Sequence, residues 1–326
     1  MSLLPRVRHS RAMHQWIEAP SGSGMRLDLL LATIPAIKSR NAAQKMIEAG
    51  QVRISGKKEL RSSRMLRATD CVEYMLPEPD TVPAEAGVDL HLNVLHEDDD
   101  CLVIEKPAGI AVHTGNGMAR NDTTILDGIR FLFQKRRIPF SVSEVLVHRL
   151  DKETTGCLLI AKNPKAHMAL QKQFEKRTVS KFYLALVSGV PSPKAAMIDA
   201  PIGRHTGDRT RMSIIQTGKT RNAATTYRTL SSAHGMALLS CELHTGRTHQ
   251  IRVHLLSIGH PILGDSKYES MKSLKLTAEK QIDFLCLHAW KLSFMSPTSK
   301  KKISVTCQLP KKYAEFLEEN EMKLTV

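Results

Sequence analysis

The hydrophobic pattern is sharpest at residues 157–161, Cys-Leu-Leu-Ile-Ala, an apolar and partly β-branched run that predicts a buried strand. Immediately before it, residues 147–156 read Val-His-Arg-Leu-Asp-Lys-Glu-Thr-Thr-Gly. His148, Arg149, Asp151, Lys152 and Glu153 crowd five ionisable groups into six positions there. A charged loop at the end of a rigid strand is held where chemistry tends to sit. Further strands are predicted at 51–55, 71–76, 181–189 (with Tyr183 in the interior) and 286–294, and residues 93–97 and 101–106 predict a hairpin around Asp98-Asp99-Asp100.

Helical spacing occupies the remainder. Residues 26–32 have it, and Ser39 is placed to cap a helix over 40–49 that Gly50 ends, with 56–58 expected as a turn. Asn163 followed by Pro164 opens a helix through Lys176. Thr248 is expected to cap a helix ending at Gly259, with Ile251, Leu255 and Ile258 as its buried stripe and His249 and Arg252 on a neighbouring face. A last helix starts near Lys311. Many short strands and few helices, without repeated βαβ units, predict an α+β fold with a mostly antiparallel mixed sheet. Residues 1–23 are expected to be a loose basic arm, 24–76 a small α/β module, 77–88 a Pro-rich acidic linker, and 89–326 the larger domain.

Charge changes the picture more than composition does. A net charge of +15 over 326 residues points to a polyanion as partner. No apolar run reaches membrane-spanning length, and no basic amphipathic helix with a strong apolar face stands out, which argues against a membrane. The basic start lacks a following apolar segment, so it does not read as a secretory signal. Six cysteines scattered singly suit reduced thiols in a cytoplasmic protein.

Two apparent nucleotide loops fail inspection. The Gly-rich stretch at 114–117 has Arg120 where a dinucleotide fingerprint needs glycine, and Gly218-Lys219-Thr220 has Ser213 where a phosphate loop needs its first glycine. His244, His249, His254 and His260 lack metal-binding helix spacing, so neither a metal nor a cofactor is expected. In the amino-terminal module, Arg40, Lys45, Arg53, Lys57 and Lys58 lie within twenty residues and are candidates for gripping phosphate backbone.

Arg26-Leu-Asp, Ser39-Arg40 and residues 47–57, Ile-Glu-Ala-Gly-Gln-Val-Arg-Ile-Ser-Gly-Lys, resemble the alpha-L RNA-binding module shared with a small-subunit ribosomal protein. Six further ordered blocks resemble the RluA-type family of RNA pseudouridine synthases. They include Glu105-Lys-Pro-Ala-Gly, residues 148–156, residues 181–189, Thr245-Gly-Arg-Thr-His-Gln-Ile-Arg-Val-His, Gly259-His-Pro-Ile-Leu-Gly-Asp and Leu287-His-Ala. Residues 218–223 depart from the family's usual spacing after Gly-Lys. The resemblance implies the pseudouridine synthase fold and isomerisation of uridine in structured RNA without cofactor or metal. It implies large-subunit ribosomal RNA as substrate, with transfer RNA as a second candidate, and a monomer.

By the same resemblance Asp151 is the catalytic carboxylate, adding first either to the ribose or to the base. Arg252 pairs with it and holds its pKa down, Tyr183 stacks on the detached uracil, and Arg149 fills the place of the extruded base. Arg247 falls in the RNA-facing block, and His148 is structural. The alternative weighed against this is an inactive RNA-binding chaperone on the same fold.

Overall fold

The computed structural model describes residues 14–20, 23–34, 37, 39–75, 86–114, 119, 122–208, 210–214 and 220–324. The chain divides into two compact units, Met1–Glu85 and Ala86–Val326. The part of the expected arm before His14, most of the expected linker, and residues 115–118 and 215–219 lie outside the described residues.

In the first unit, strand β1 (His14–Glu18), helices α1 (Leu27–Leu31) and α2 (Arg40–Glu48), and strands β2 (Val52–Ile54), β3 (Lys57–Lys58) and β4 (Cys71–Met75) form an antiparallel sheet in the order β1-β4-β2-β3 with its helices. Two expectations are corrected here. His14–Glu18 falls in the expected loose arm, yet it pairs along the whole of β4, because β4 offers a free edge that the local pattern of β1 does not reveal. Lys57 and Lys58, expected in a turn, form a strand, the turn being Ser55 and Gly56, both left-handed with φ of 49° and 81°. The Ser39 hydroxyl caps α2 by accepting from the Ala42 N–H at 3.2 Å. Leu27, Leu31, Ile47, Val52 and Val72 centre the core.

The second unit holds β5 (Val94–Glu97), β6 (Cys101–Lys106), α3 (Ile125–Arg136), a 3-10 turn (Val142–Glu144), β7 (Thr155–Ala161), α4 (Pro164–Glu175) and β8 (Ser180–Ser188). It continues through β9 (Ala195–Asp199), β10 (Gly203–Arg204), β11 (Met212–Ser213), β12 (Ala224–Ala233), β13 (Met236–Leu243) and α5 (Gln250–Ser257). Helix α6 (Met271–Glu279), β14 (Leu287–Met295), β15 (Lys302–Thr306) and α7 (Lys311–Glu319) complete it. The main sheet runs β5-β6-β7-β14-β8-β13-β12-β9, with β15 on β14. Every pairing in it is antiparallel except β7 with β14. Gly87 and Val88, expected in the linker, belong to this unit: their N–H groups donate to the Gln134 side chain and the Asp127 carbonyl, both at 3.1 Å.

Strand β7 is apolar from Cys157 to Ala161 because both faces of the sheet are covered there. Leu158 and Ile160 pack with Ile125, Ile129 and Phe133 of α3. Cys157, Leu159 and Ala161 pack with Ala166 and Leu170 of α4. The Asn163 side chain caps α4 by accepting from the Ala166 N–H at 2.8 Å, and Pro164 follows at its first position. This double cover makes the start of β7 a rigid mount for the loop before it.

Candidate active site

Asp151 sits in the loop that enters β7, and two polar anchors hold that loop. Lys106, at the end of β6, is fully buried and donates its ammonium to the Pro107 carbonyl at 2.6 Å and the Lys152 carbonyl at 2.8 Å. Burial lowers its pKa to about 8 against the pull of the Glu153 and Asp151 carboxylates. His148 accepts the Leu159 N–H at its Nε2 at 2.8 Å and stacks on Phe174. Burial lowers its pKa to about 3, aided by the Lys181 ammonium. His148 therefore stays a neutral acceptor that ties the loop to its own strand. Lys106 lies within a motif block yet carries no sequence signal for this role, since nothing local shows that its ammonium reaches forty-six residues ahead.

The second half of the site is the loop between β13 and α5. Gln250 organises it by using its whole hydrogen-bonding capacity. Its Oε1 accepts from the Thr245 hydroxyl at 2.7 Å and the Arg247 N–H at 3.0 Å, and its Nε2 donates to the Ala224 carbonyl at 3.0 Å and the Thr225 hydroxyl at 2.9 Å. Thr225 passes the chain on to His254 Nδ1 at 2.9 Å, and His254 Nε2 donates to the Ala200 carbonyl. The expected cap at Thr248 is corrected: α5 begins at Gln250, with His249 left-handed before it at φ 56°, because Gln250 pins the preceding turn. Ile258, expected in the buried stripe, lies exposed at the helix end, while residues 250–255 are buried on every side.

Arg252 differs most from expectation. It forms a buried two-pronged ion pair with Asp265, Nε and Nη2 each 2.7 Å from a carboxylate oxygen, and reaches Asp151 only through Nη1 at 3.4 Å. Burial works against the guanidinium charge, but the Asp265 hydrogen bonds and charge, with that of Asp151, leave its pKa raised. Asp265 also accepts from the N–H groups of Lys267 and Tyr268. It closes the block Gly259-His-Pro-Ile-Leu-Gly-Asp, where no local pattern marks it for a role.

A cavity of about 430 Å³ joins the two halves, lined among others by Asp151, Lys181, Tyr183, Arg247, His249 and Arg252. Its size suits a nucleoside. Tyr183, in mid-β8, is buried, and burial together with the Asp151 charge raises its phenol pKa well above the ordinary value, so it keeps its proton. Lys181 has no carboxylate partner among the described residues. Burial, with Arg177, lowers its pKa to about 8. Arg247 donates to the Asn222 carbonyl at 3.1 Å, and burial, Arg221 and Arg177 lower its pKa. Arg149 is exposed at the rim and donates to His113 Nε2 at 2.9 Å, whose Nδ1–H is spent on the Thr114 carbonyl. So many cations against so few anions favour a phosphate-bearing ligand.

The four histidines considered as metal ligands do not converge. His244 meets Thr226, His249 meets Tyr268, His254 meets Thr225 and Ala200, and His260 meets the Ser188 carbonyl. His96, Asp98 and Cys101 do lie close enough to share an ion, but Asp98 Oδ1 is taken by the Asp100 and Cys101 N–H groups and by the Cys101 thiol in a hairpin turn.

In the first unit, Lys45, Arg53, Lys57 and Lys58 are exposed. Arg40 is partly committed. Its Nε donates to the fully buried Asp28 at 3.0 Å, beside the Arg26 fork at 2.9 and 3.0 Å and Gln44 at 2.9 Å. Those bonds, Arg26 first, hold the Asp28 carboxyl far below its ordinary range, which explains the Arg26-Leu-Asp signature.

A nucleoside-sized, cation-rich cavity around a carboxylate, on a chain that also carries a basic module, fits an enzyme acting on nucleic acid. The RNA pseudouridylate synthase family matches residues 100–257, and the S4 domain matches residues 25–72. The chain belongs to the RNA pseudouridine synthases, isomerases of RNA. It is 38% identical over 299 residues to the ribosomal large subunit pseudouridine synthase D of Nitrosomonas europaea, covering 91% of this chain and 84% of that one. The protein of the same name from Zymomonas mobilis is 34% identical over 292 residues, covering 88% and 91%. Among solved structures, the human RNA pseudouridylate synthase domain containing 4 matches with a TM-score of 0.59 and 29% identity, covering 71% of this chain and 94% of that one. No helix among the described residues is long and apolar enough to cross a membrane.

Proposed function

We propose that this enzyme converts uridine to pseudouridine in large-subunit ribosomal RNA, with Asp151 as the catalytic carboxylate. The observation that carries the reading is Asp151 itself, lining the cavity with the Arg252 guanidinium 3.4 Å away. The substrate follows from relatives named for the large ribosomal subunit. The target base is extruded from RNA structure at a cost of a few kcal/mol. A carboxylate is suited to the carbon–nitrogen bond cleavage because it can attack or accept a proton and later leave. Tyr183 stacks on the freed uracil, and Arg149, held by His113, fills the gap in the RNA. Arg252 is a positioning cation, itself fixed by Asp265. Arg247 in the catalytic domain, with Arg40, Lys45, Arg53, Lys57 and Lys58 in the module, grips the RNA backbone.

The test is Asp151→Asn, nearly isosteric but unable to act as nucleophile or base. Turnover on a large-subunit RNA fragment should vanish, a loss on the order of several kcal/mol in barrier lowering. RNA affinity should stay within a few-fold. A tenth of wild-type activity remaining would remove Asp151 from this role, and unmodified transcript with the wild-type enzyme would remove the substrate.

A further inference from the structure

We propose that His249 contacts the target base, donating a hydrogen bond from a neutral imidazole Nε2–H to a uracil carbonyl oxygen as the glycosidic bond breaks. This deepens the proposed function and rests on it.

The argument starts from hydrogen-bond directions around Tyr268. Its hydroxyl accepts the Met212 N–H at 2.7 Å and lies 2.8 Å from His249 Nδ1. A phenol has one proton, and Nδ1 is the acceptor within reach, so the hydroxyl donates to Nδ1. A neutral imidazole that accepts at Nδ1 carries its proton on Nε2. That N–H has no hydrogen-bond partner among the described residues, and the imidazole lines the same cavity as Asp151 and Tyr183.

The support behind the ring is stiff. Tyr268 is buried, with the Arg252 guanidinium 4.9 Å from its ring centre and the Arg211 guanidinium at 5.3 Å. Its N–H is held by Asp265, the carboxylate that also clamps Arg252. One buried network therefore aims both Arg252 and His249. His249 is moreover left-handed at φ 56°, a conformation that is unfavourable for a non-glycine residue and is kept here beside the reacting groups. Burial lowers its pKa and Arg252 adds to this, against the Asp151 carboxylate, which keeps the ring neutral.

The chemistry gives that donor a task. When C1′–N1 breaks, its electron pair moves onto N1 and spreads over O2 and O4 of the ring. On the sugar side Asp151 compensates, by bonding or by taking a proton. A fixed N–H facing a carbonyl stabilises charge that exists only as the bond breaks. No proton leaves His249, so the ring ends as it began.

The experiment measures single-turnover rates at saturating RNA with uridine, 2-thiouridine or 4-thiouridine at the target position. Sulfur accepts hydrogen bonds poorly, so each analogue weakens one carbonyl. His249→Asn tolerates a left-handed backbone but is too short to reach, and His249→Gln offers an amide N–H of greater reach. His249→Asn should lose about 100-fold in maximal rate with RNA affinity unchanged, and His249→Gln should lose distinctly less. One thio substrate should be slow with the wild type and bring no further loss in His249→Asn, whereas the other should multiply fully. Full multiplication for both analogues, an unchanged maximal rate, or a defect in RNA affinity alone would overturn the contact. These outcomes are read against wild-type turnover of plain uridine, whose absence would instead defeat the parent reading.

Discussion

At the scale of single residues, the site separates groups that face the cavity from groups that hold them. Asp151, Tyr183 and Arg252 are legible in sequence blocks because each lies in a run of distinctive residues. Lys106 and Asp265 also fall in such blocks, and Tyr268 in none, but no local pattern marks their roles, which depend on groups the fold brings to them. His148, adjacent to Arg149, belongs with the holders, and its titration makes that testable. The folded imidazole titrates near 3 and the unfolded one near 6.5, so between those values only the unfolded chain takes up the proton. The stability it contributes is complete above about pH 6.5 and is lost as pH falls toward 3, by at most about 1.4 kcal/mol per unit. His148→Gln keeps an acceptor for the Leu159 N–H without that proton site. Its urea midpoint should therefore fall less steeply than wild type between pH 6.5 and pH 5, and parallel acid limbs would reject the assignment.

At the scale of elements, the junction of β7 with β14 carries the loop that holds Asp151. Gly156 has φ 111°, and a Cβ there would stand 2.3 Å from the Ala289 carbonyl oxygen of β14. Gly235, in the β12–β13 turn, has φ 75° but open space around its missing Cβ. Comparing Gly156→Ala with Gly235→Ala separates the clash from the backbone preference. The turn variant should cost on the order of 1 kcal/mol. The junction variant should cost a few kcal/mol more and lower the melting temperature steeply, or fail to fold. Equal melting temperatures would mean that β7 can shift away from β14 without penalty. Other elements are readable from local rules. The Ser39 and Asn163 caps and the hairpin from β5 to β6 all depend on neighbours within a few positions.

At the scale of the whole molecule, the charge of +15 is spread over two units with separate cores. Lys45, Arg53 and Lys57 are exposed and unpaired by any carboxylate among the described residues. Replacing all three with Gln should weaken RNA binding and reduce the log–log salt slope by roughly 0.7 to 0.9 for each phosphate no longer neutralised. Single-turnover rate at saturating RNA should change far less, because Asp151, Tyr183 and Arg252 are untouched. A maximal rate that collapses while the salt slope stays constant would show that the module shapes catalysis instead of gripping backbone.

By itself the sequence determined the α+β class, seven of the fifteen strands and five of the seven α-helices among the described residues, the family, and the three residues around which the chemistry is proposed. These follow from periodicity, caps and ordered motifs, all of them properties of short stretches. The tertiary structure decided what depends on distant groups meeting. It recruited His14–Glu18 to β4 and set β7 parallel to a strand some 130 residues later. It divided Arg252 between a tight bond to Asp265 and a longer one to Asp151. It also moved the start of α5 from Thr248 to Gln250 and set His249 Nδ1 against the Tyr268 hydroxyl. The physical reason is that a buried polar group must find a partner wherever the fold brings one, and no local pattern encodes which partner that will be.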